Sequence, residues 1–378
     1  YREILRQSRR ERTARAGVVV GGAYGRGNAG DDAILEAILQ EMRAIDPDMP
    51  VTVLSKDPAA TRLAYRVRSI HRSHVLSWRR AMRRSVLYLN GGGSLIQDVT
   101  SRRSLWYYLF NIRSAHALGC RVQMYGCGIG PVTRDNHRRM AARTLNRCVD
   151  VITLREPDSQ AELAAMGVTK PRILLTADPA LTLPAAREDE TDSVLLRAGI
   201  PPHGKYLCFA LRRWPGFEEK APAIRAAAAY AYETYGLTPV FLSVEKHQDP
   251  GAGRLAAQGL EIPHYFLDDA GGAGTIIGAL SRMEAVVSMR LHALIFAAGQ
   301  GIPLAGIVYD PKVSAFLRYI GQEQFADLSA LTAEGLCRMI DRAVEQSRDT
   351  AGQAEAVRRL REMERGNQDS ARRLLGLD

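Results

Sequence analysis

The sequence predicts an α/β protein built as two doubly wound, Rossmann-like domains facing across a cleft. Three observations carry this expectation. Short apolar runs suited to buried strands alternate with helix-length segments along nearly the whole chain, as in a parallel sheet covered on both faces. The alternation breaks once, from Pro184 to about Lys205, where Pro, Glu and Asp replace periodicity. Glycine turns or basic residues follow the strands on both sides of that break. A length of 378 residues exceeds one ordinary core and fits two domains. The reading divides the chain into a basic N-terminal segment (1–16), a first domain (17–183), a linker (184–205), a second domain (206–349) and a C-terminal helix (350–378).

Taken in order, Gly17–Gly22 is a short buried strand that opens into Ala23-Tyr24-Gly25-Arg26-Gly27-Asn28-Ala29-Gly30-Asp31-Asp32, before a helix from about Ala33 to Ala44. Glycines there let backbone N–H groups approach an anion closely. The spacing is neither a Walker loop nor a strict dinucleotide fingerprint. Asp31 reads equally well as a helix N-cap or as a functional carboxylate. A strand follows at Val51–Ser55, then a basic-aromatic stretch in which Arg62, Arg66, Arg68, His71, Arg72 and His74 lead to Trp78, Arg79, Arg80, Arg83 and Arg84, helical in part. That stretch is either a solvated face or a surface for anionic lipid or diphosphate. The strand Val86–Leu89 ends in Gly91, Gly92, Gly93 and Ser94, where a ligand or another backbone can come close. A helix over Leu105–Leu118 leads to the strand Arg121–Tyr125, closed by the turn Gly126-Cys127-Gly128-Ile129-Gly130-Pro131 with Arg134 just beyond.

The first domain continues through a strand at Val151–Leu154, a helix at Glu156–Met166, and Ile173–Leu175 leading to Ala177-Asp178-Pro179-Ala180. Beyond the break come a strand at Tyr206–Ala210 with Arg212 and Arg213 after it, a helix at Ala221–Tyr235 and a strand at Pro239–Leu242. A helix near Thr275–Arg282 precedes the strand Ala285–Val287, and Thr350–Leu375 reads as a charged amphipathic helix.

Composition narrows the class. A hydrophobic share of 46% and a charged share of 24% belong to a soluble globular chain. No apolar run reaches the roughly 18 residues of a membrane span. Five cysteines without a C-x-x-C pair argue against a disulfide framework or zinc ribbon and fit a reducing cytoplasm. The net charge of +10 attracts anions: nucleic acid, acidic headgroups or phosphorylated substrates. Arginines crowd the N-terminus (Arg2, Arg6, Arg9, Arg10, Arg12, Arg15), a run that reads as a frayed, solvated segment. No H-E-x-x-H, G-x-S-x-G or clustered metal-ligand pattern is present, and His247 with Asp249 is weak grounds for a metal.

The chemistry concentrates in Ser288-Met289-Arg290-Leu291-His292 and in Tyr309-Asp310-Pro311-Lys312. Arg290 and His292 interrupt an otherwise apolar strand–turn–helix, and Lys312 follows the next strand. Ligands of open α/β sheets bind where strand carboxyl ends meet helix N-termini, so three cations there describe a pocket for a small polyanion. The plainer alternative is that Arg290 and His292 pair with a buried carboxylate.

These motifs, in this order, resemble the polysaccharide pyruvyl transferase family, and most closely its bacterial secondary cell-wall polymer branch. The residues carrying the resemblance are Gly25–Asp31, Gly91–Ser94, Gly126–Pro131, Ala177–Ala180, Ser288–His292 and Tyr309–Lys312. The resemblance implies a fold of the two-domain GT-B glycosyltransferase type. It implies transfer of a pyruvyl group from phosphoenolpyruvate to a sugar as a ketal, with no further cofactor and no metal. The acceptor implied is a lipid-diphosphate-linked N-acetylmannosamine–N-acetylglucosamine unit, in the synthesis of a polymer that anchors S-layer proteins. The expected place is the cytoplasm, with peripheral contact to anionic membrane and no nucleic-acid partner.

Mapped onto this sequence, His292 is expected to donate the proton, Asp31 to accept one and Arg134 to neutralise the leaving phosphate. Arg290, Lys312 and Arg212 are expected to hold the donor. Gly27, Asn28, Gly30, Gly92, Gly93 and Ser94 are expected to shape the acceptor side. The family more often has leucine before a single Asp and then Glu, so the Ala29 and Asp31-Asp32 of this chain leave open which carboxylate acts. Two other readings stand beside it: a sugar-nucleotide glycosyltransferase of the same fold, and a non-catalytic polyanion binder.

Overall fold

A computed structural model describes residues 15–99, 101–346 and 351–377, apart from the side chains of 351 and 353. The N-terminal arginines through Arg12 lie outside these residues. Arg15 does not: its guanidinium donates to the carbonyls of Ser85, Met82 and Leu118, so it ties down backbone and is not a solvated charge.

Two compact units are present. The first takes the chain through Arg26, then Ile34–Pro179 and everything from Met363 onward; the second takes Gly27–Ala33 and Ala180–Glu362. The sequence reading puts Gly27–Ala33 with the first domain, whereas this short segment packs with residues from the second half of the chain.

The first unit begins with strand β1 (Val18–Gly21), whose apolar residues are buried, and helix α1 (Ala29–Ile45). It continues with β2 (Val51–Ser55), α2 (Pro58–Tyr65), β3 (Arg68–His71), α3 (Val75–Arg84), β4 (Leu87–Ile96) and α4 (Arg102–Ala117). Then follow β5 (Arg121–Ile129), α5 (Asp135–Cys148), β6 (Val151–Leu154), α6 (Pro157–Met166) and β7 (Arg172–Leu175). The strands run parallel in the order β3-β2-β1-β4-β5-β6-β7, with Val18 opposite both Val51 and Leu87. Strand order reverses between β1 and β4, the topological switch point.

Two glycine turns expected after strands are partly strand themselves. The ladder of β4 and β5 continues through Gly91↔Tyr125 and Gly93↔Cys127 before the register shifts, so the glycines bulge the sheet and do not end it. Gly92 has φ +56°, and a β-carbon there would overlap the side chain of Ile34 on α1. At that position close approach serves helix packing.

The second unit opens with α7 (Glu188–Arg197), inside the stretch read as linker. Three acidic residues in its first turn favour the helix dipole, and Thr191, Val194 and Leu195 form a buried face. The alternation resumes with β8 (Tyr206–Ala210), α8 (Phe217–Tyr235), β9 (Thr238–Leu242), α9 (Asp249–Ala257), β10 (Tyr265–Leu267) and α10 (Ala273–Leu280). It closes with β11 (Ala285–Ser288), α11 (Leu291–Gly299), β12 (Leu304–Val308), α12 (Pro311–Tyr319), β13 (Phe325–Asp327) and α13 (Ala333–Gln346). This parallel sheet has the order β10-β9-β8-β11-β12-β13, the same winding, with its switch point between β8 and β11. A long helix, α14 (Ala351–Leu375), ends the chain, and its residues from Met363 onward belong to the first unit. Among the described residues no helix is long and apolar enough to cross a membrane.

Candidate functional site

In the second unit the carboxyl ends of β8, β11 and β12 carry Arg212, then Arg290 with His292, then Lys312. The β11 turn is closed by Ser288, whose Oγ accepts from the Arg290 amide at 2.8 Å. Arg290 therefore sits at the N-cap of α11 and His292 in its first turn.

Arg290 is 8% exposed and locked in place. Its Nε lies 3.0 and 2.9 Å from the two oxygens of Asp249, its Nη2 also donates to Asp249, and Glu245 stands 3.9 Å away. Asp249 also accepts the amides of Val244 (3.0 Å) and Glu245 (2.9 Å). Burial pushes the Asp249 carboxyl up, against the pull of Arg290. For Arg290 the buried-carboxylate alternative is thus present in the structure. Only Nη1 of its guanidinium enters no hydrogen bond to the described residues.

Arg212 and Lys312 meet at Tyr309. The Arg212 guanidinium lies 5.0 Å from the Trp214 ring centroid and 5.3 Å from that of Tyr309, and donates to the Tyr309 hydroxyl at 3.1 Å. Its Nε is buried with no hydrogen-bond partner among the described residues. Lys312 Nζ stands 5.7 Å from the same Tyr309 ring and 3.1 Å from Asp310, which caps α12 by accepting the Lys312 amide. Trp214, Tyr309 and Asp310 also line a cavity of about 520 Å³.

The segment Gly27–Ala33 joins this cluster. Asn28 pairs with Glu245, the Ala29 amide donates to Val244 at 3.1 Å, and His247 lies over Gly27. Gly30 packs so closely on His292 that a β-carbon would overlap the imidazole. The α1 cap is Asn28, which accepts the Gly30 amide through its side chain (3.0 Å) and the Asp32 amide through its carbonyl (3.0 Å). Asp31 therefore stands in the first turn, not at the cap. The fold thus brings Gly27, Asn28 and Gly30 to the elements that carry Arg290 and His292, with Asp31 next to Gly30 in the chain.

Gly92, Gly93, Ser94 and Arg134 belong to the first unit. There Ser94 Oγ accepts from Arg155 (3.2 Å), a fully buried arginine that also donates to Asp178 (2.8 Å) and Glu156 (3.2 Å). Sequence reasoning missed Arg155 and Glu156, although their place directly after β6, at a strand carboxyl end, was a usable signal. Arg134 is exposed, and its amide donates to Asp98 at 3.3 Å. Burial would raise the Asp98 carboxyl, but hydrogen bonds from Thr133, His137 and the Arg134 amide outweigh it and hold the pKa at about 2. His137 Nδ1 lies 2.8 Å from that carboxylate, another pairing the sequence did not reveal.

Comparison with known proteins fits this architecture. The solved structure of Anabaena Alr3699/HepE in complex with UDP-glucose superposes with a TM-score of 0.63 at 10% identity, over 94% of this chain and 99% of that one. A glycosyltransferase from Rickettsia africae ESF-5 gives 0.62 at 9% identity, over 95% and 99%. UDP-GlcNAc 2-epimerase from Methanocaldococcus jannaschii gives 0.58 at 10%, over 86% and 92%. At such identities the likeness is one of fold, and the fold is of the GT-B type. The sequence matches no curated protein. A family model described as polysaccharide pyruvyl transferase matches residues 28–311, from the Asn28 cap to the start of α12. Over most of its length, therefore, the chain belongs to the polysaccharide pyruvyl transferase family.

Proposed function

We propose that this protein transfers the pyruvyl group of phosphoenolpyruvate to a sugar as a cyclic ketal, with a lipid-diphosphate-linked N-acetylmannosamine–N-acetylglucosamine unit as acceptor, in cell-wall polymer synthesis. The observation that carries the reading is that Arg212, Arg290, His292 and Lys312 follow the carboxyl ends of the adjacent strands β8, β11 and β12 of the second sheet, with Gly30 packed on His292. Phosphoenolpyruvate carries a carboxylate and a phosphate on a very small body. Arg212 offers it a buried Nε that has no hydrogen-bond partner among the described residues, and Lys312 adds a point charge across Tyr309. Arg290, held and largely neutralised by Asp249, contributes Nη1 as a fixed hydrogen-bond donor.

The proton balance fits two titratable groups. His292 protonates C3 of the enol, a sugar hydroxyl adds to C2, and Asp31 takes its proton. Phosphate then leaves and a second hydroxyl closes the ring. Of the two hydroxyl protons lost, one ends in the new methyl group and the other on the departing phosphate. Positioning and charge stabilisation supply most of the rate.

The test is incubation with phosphoenolpyruvate and the diphosphate-linked disaccharide, following product mass and released phosphate. A product heavier by one pyruvyl ketal, with stoichiometric phosphate, is expected. Sugar transfer from UDP-glucose, the ligand of HepE, without phosphate release would overturn the proposal in favour of a glycosyltransferase.

A further inference from the structure

Helices α3, α4 and α5 pack side by side on one face of the first sheet. Together they carry eleven arginines and a single carboxylate, Asp135. Between α4 and α5 lies a groove of about 600 Å³ lined by Arg113, His116, Arg139, Arg143 and Arg147, with no acidic residue in its wall. All five side chains are exposed, and no described carboxylate lies within ion-pair distance of them.

Apolar groups stand in the same surface. Trp106 is 54% exposed and Phe110 46%, and with Arg113 they form one stripe along α4 at spacings of four and three residues. Leu76, on α3, is 82% exposed. The two helices are joined edge to face through Trp78 and Phe110, and by Arg79 donating to Ser114 at 3.2 Å. The sequence reading places the basic surface in the stretch from Arg62 to Arg84. The fold extends it across two further helices and sets aromatic rings within it.

We propose that the α3–α5 face docks on an anionic phospholipid bilayer, with Trp106, Phe110 and Leu76 entering the headgroup–acyl boundary and the α4–α5 groove seating a lipid phosphate. Arginine charge alone would serve any polyanion. The exposed leucine decides the occupant, because an aliphatic side chain offers nothing to a nucleic acid base or phosphate but partitions into a bilayer interface. The inference is independent of the pyruvyl-transfer reading, since binding is measured without substrate.

The experiment is sedimentation of the full chain with phosphatidylcholine vesicles, with and without phosphatidylglycerol. Wild type is expected to bind only the anionic vesicles, less tightly as salt rises. The quadruple variant Arg113→Ser, Arg139→Ser, Arg143→Ser, Arg147→Ser should bind about a hundred- to a thousandfold more weakly. The double variant Trp106→Ser, Phe110→Ser should also bind more weakly. All six positions are exposed, and an unchanged thermal melt checks that the fold survives. Equal binding by wild type and both variants, equal binding to neutral vesicles, or binding to single-stranded RNA with none to vesicles would each overturn the proposal.

Discussion

Gly30 and His292, 262 residues apart in sequence, are in contact: the α-carbon of the first lies against the imidazole of the second with no room for a methyl group between them. Any side chain at position 30 must displace the ring or the first turn of α1. Gly30→Ala should therefore cost about 1–3 kcal/mol of stability. It should also lower turnover at least tenfold, because small misplacements of reacting groups are expensive. Thermal melts and phosphate-release kinetics check both, and normal turnover would show that the imidazole need not stay where it is.

His292→Gln retains a hydrogen-bonding group of similar size but cannot deliver a proton. Turnover should fall by about 10²–10⁴, with donor binding changed far less. Single-turnover kinetics separate the two steps. Loss of binding with turnover intact would move His292 from acid to ligand.

The cations of the site should differ in what their loss does. Removing Asp249 strands a buried guanidinium, so Asp249→Ala should destabilise the protein by about 3–5 kcal/mol. Among the described residues Lys312 forms an ion pair only with part-exposed Asp310, and such pairs contribute about 0–1 kcal/mol. Lys312→Ala should leave the melt almost unchanged yet raise the apparent KM for phosphoenolpyruvate roughly ten- to a hundredfold. Denaturant unfolding and donor titrations make the comparison.

Glu41 and Glu364 form a buried carboxyl pair in the first unit, with Tyr125 donating to Glu41. Burial pushes both upward, and for Glu41 the neighbouring carboxyl adds to it. A native carboxyl that holds its proton when the unfolded chain has released it makes stability fall as pH rises past the ordinary carboxylate value of about 4.3. Glu41→Gln removes that penalty. Its melting temperature should exceed wild type on the order of 2–4 °C at pH 8. The difference should vanish near pH 4.

Much of the fold was legible because parallel strands are short apolar runs. β2, β6 and β8 begin and end where the sequence reading places them. What escaped has physical reasons. Helix α5 buries a strip of mostly small residues, Ala141, Ala142, Leu145 and Cys148, under a surface of arginine, so little of it reads as apolar. The acidic start of α7 looked like a loop because its apolar face is only a few residues wide. At the site, the turn after β11 announced itself as charge inside an apolar run. The partner of Arg290 did not, because Asp249 lies 41 residues upstream and only the pairing of neighbouring strands delivers it. The place of the Tyr309 ring between Arg212 and Lys312 was likewise invisible, since no spacing rule links the ends of two strands about a hundred residues apart in the chain.

Asn367 sets an order on the making of this protein. Its backbone carbonyl accepts from the Gln123 side chain, 244 residues earlier, and its side chain bonds Thr176 (3.0 Å) and the Ala177 carbonyl (3.1 Å), all in the first unit. On the ribosome those buried polar groups emerge long before their partner does. The first sheet can assemble early, but it must wait without these partners for the Gln123 side-chain amide and the Ala177 carbonyl until the second unit has been synthesised and α14 arrives. A nascent chain stalled at the end of the second unit should accordingly remain sensitive to protease near β5 and β7, and become resistant when the last helix is released.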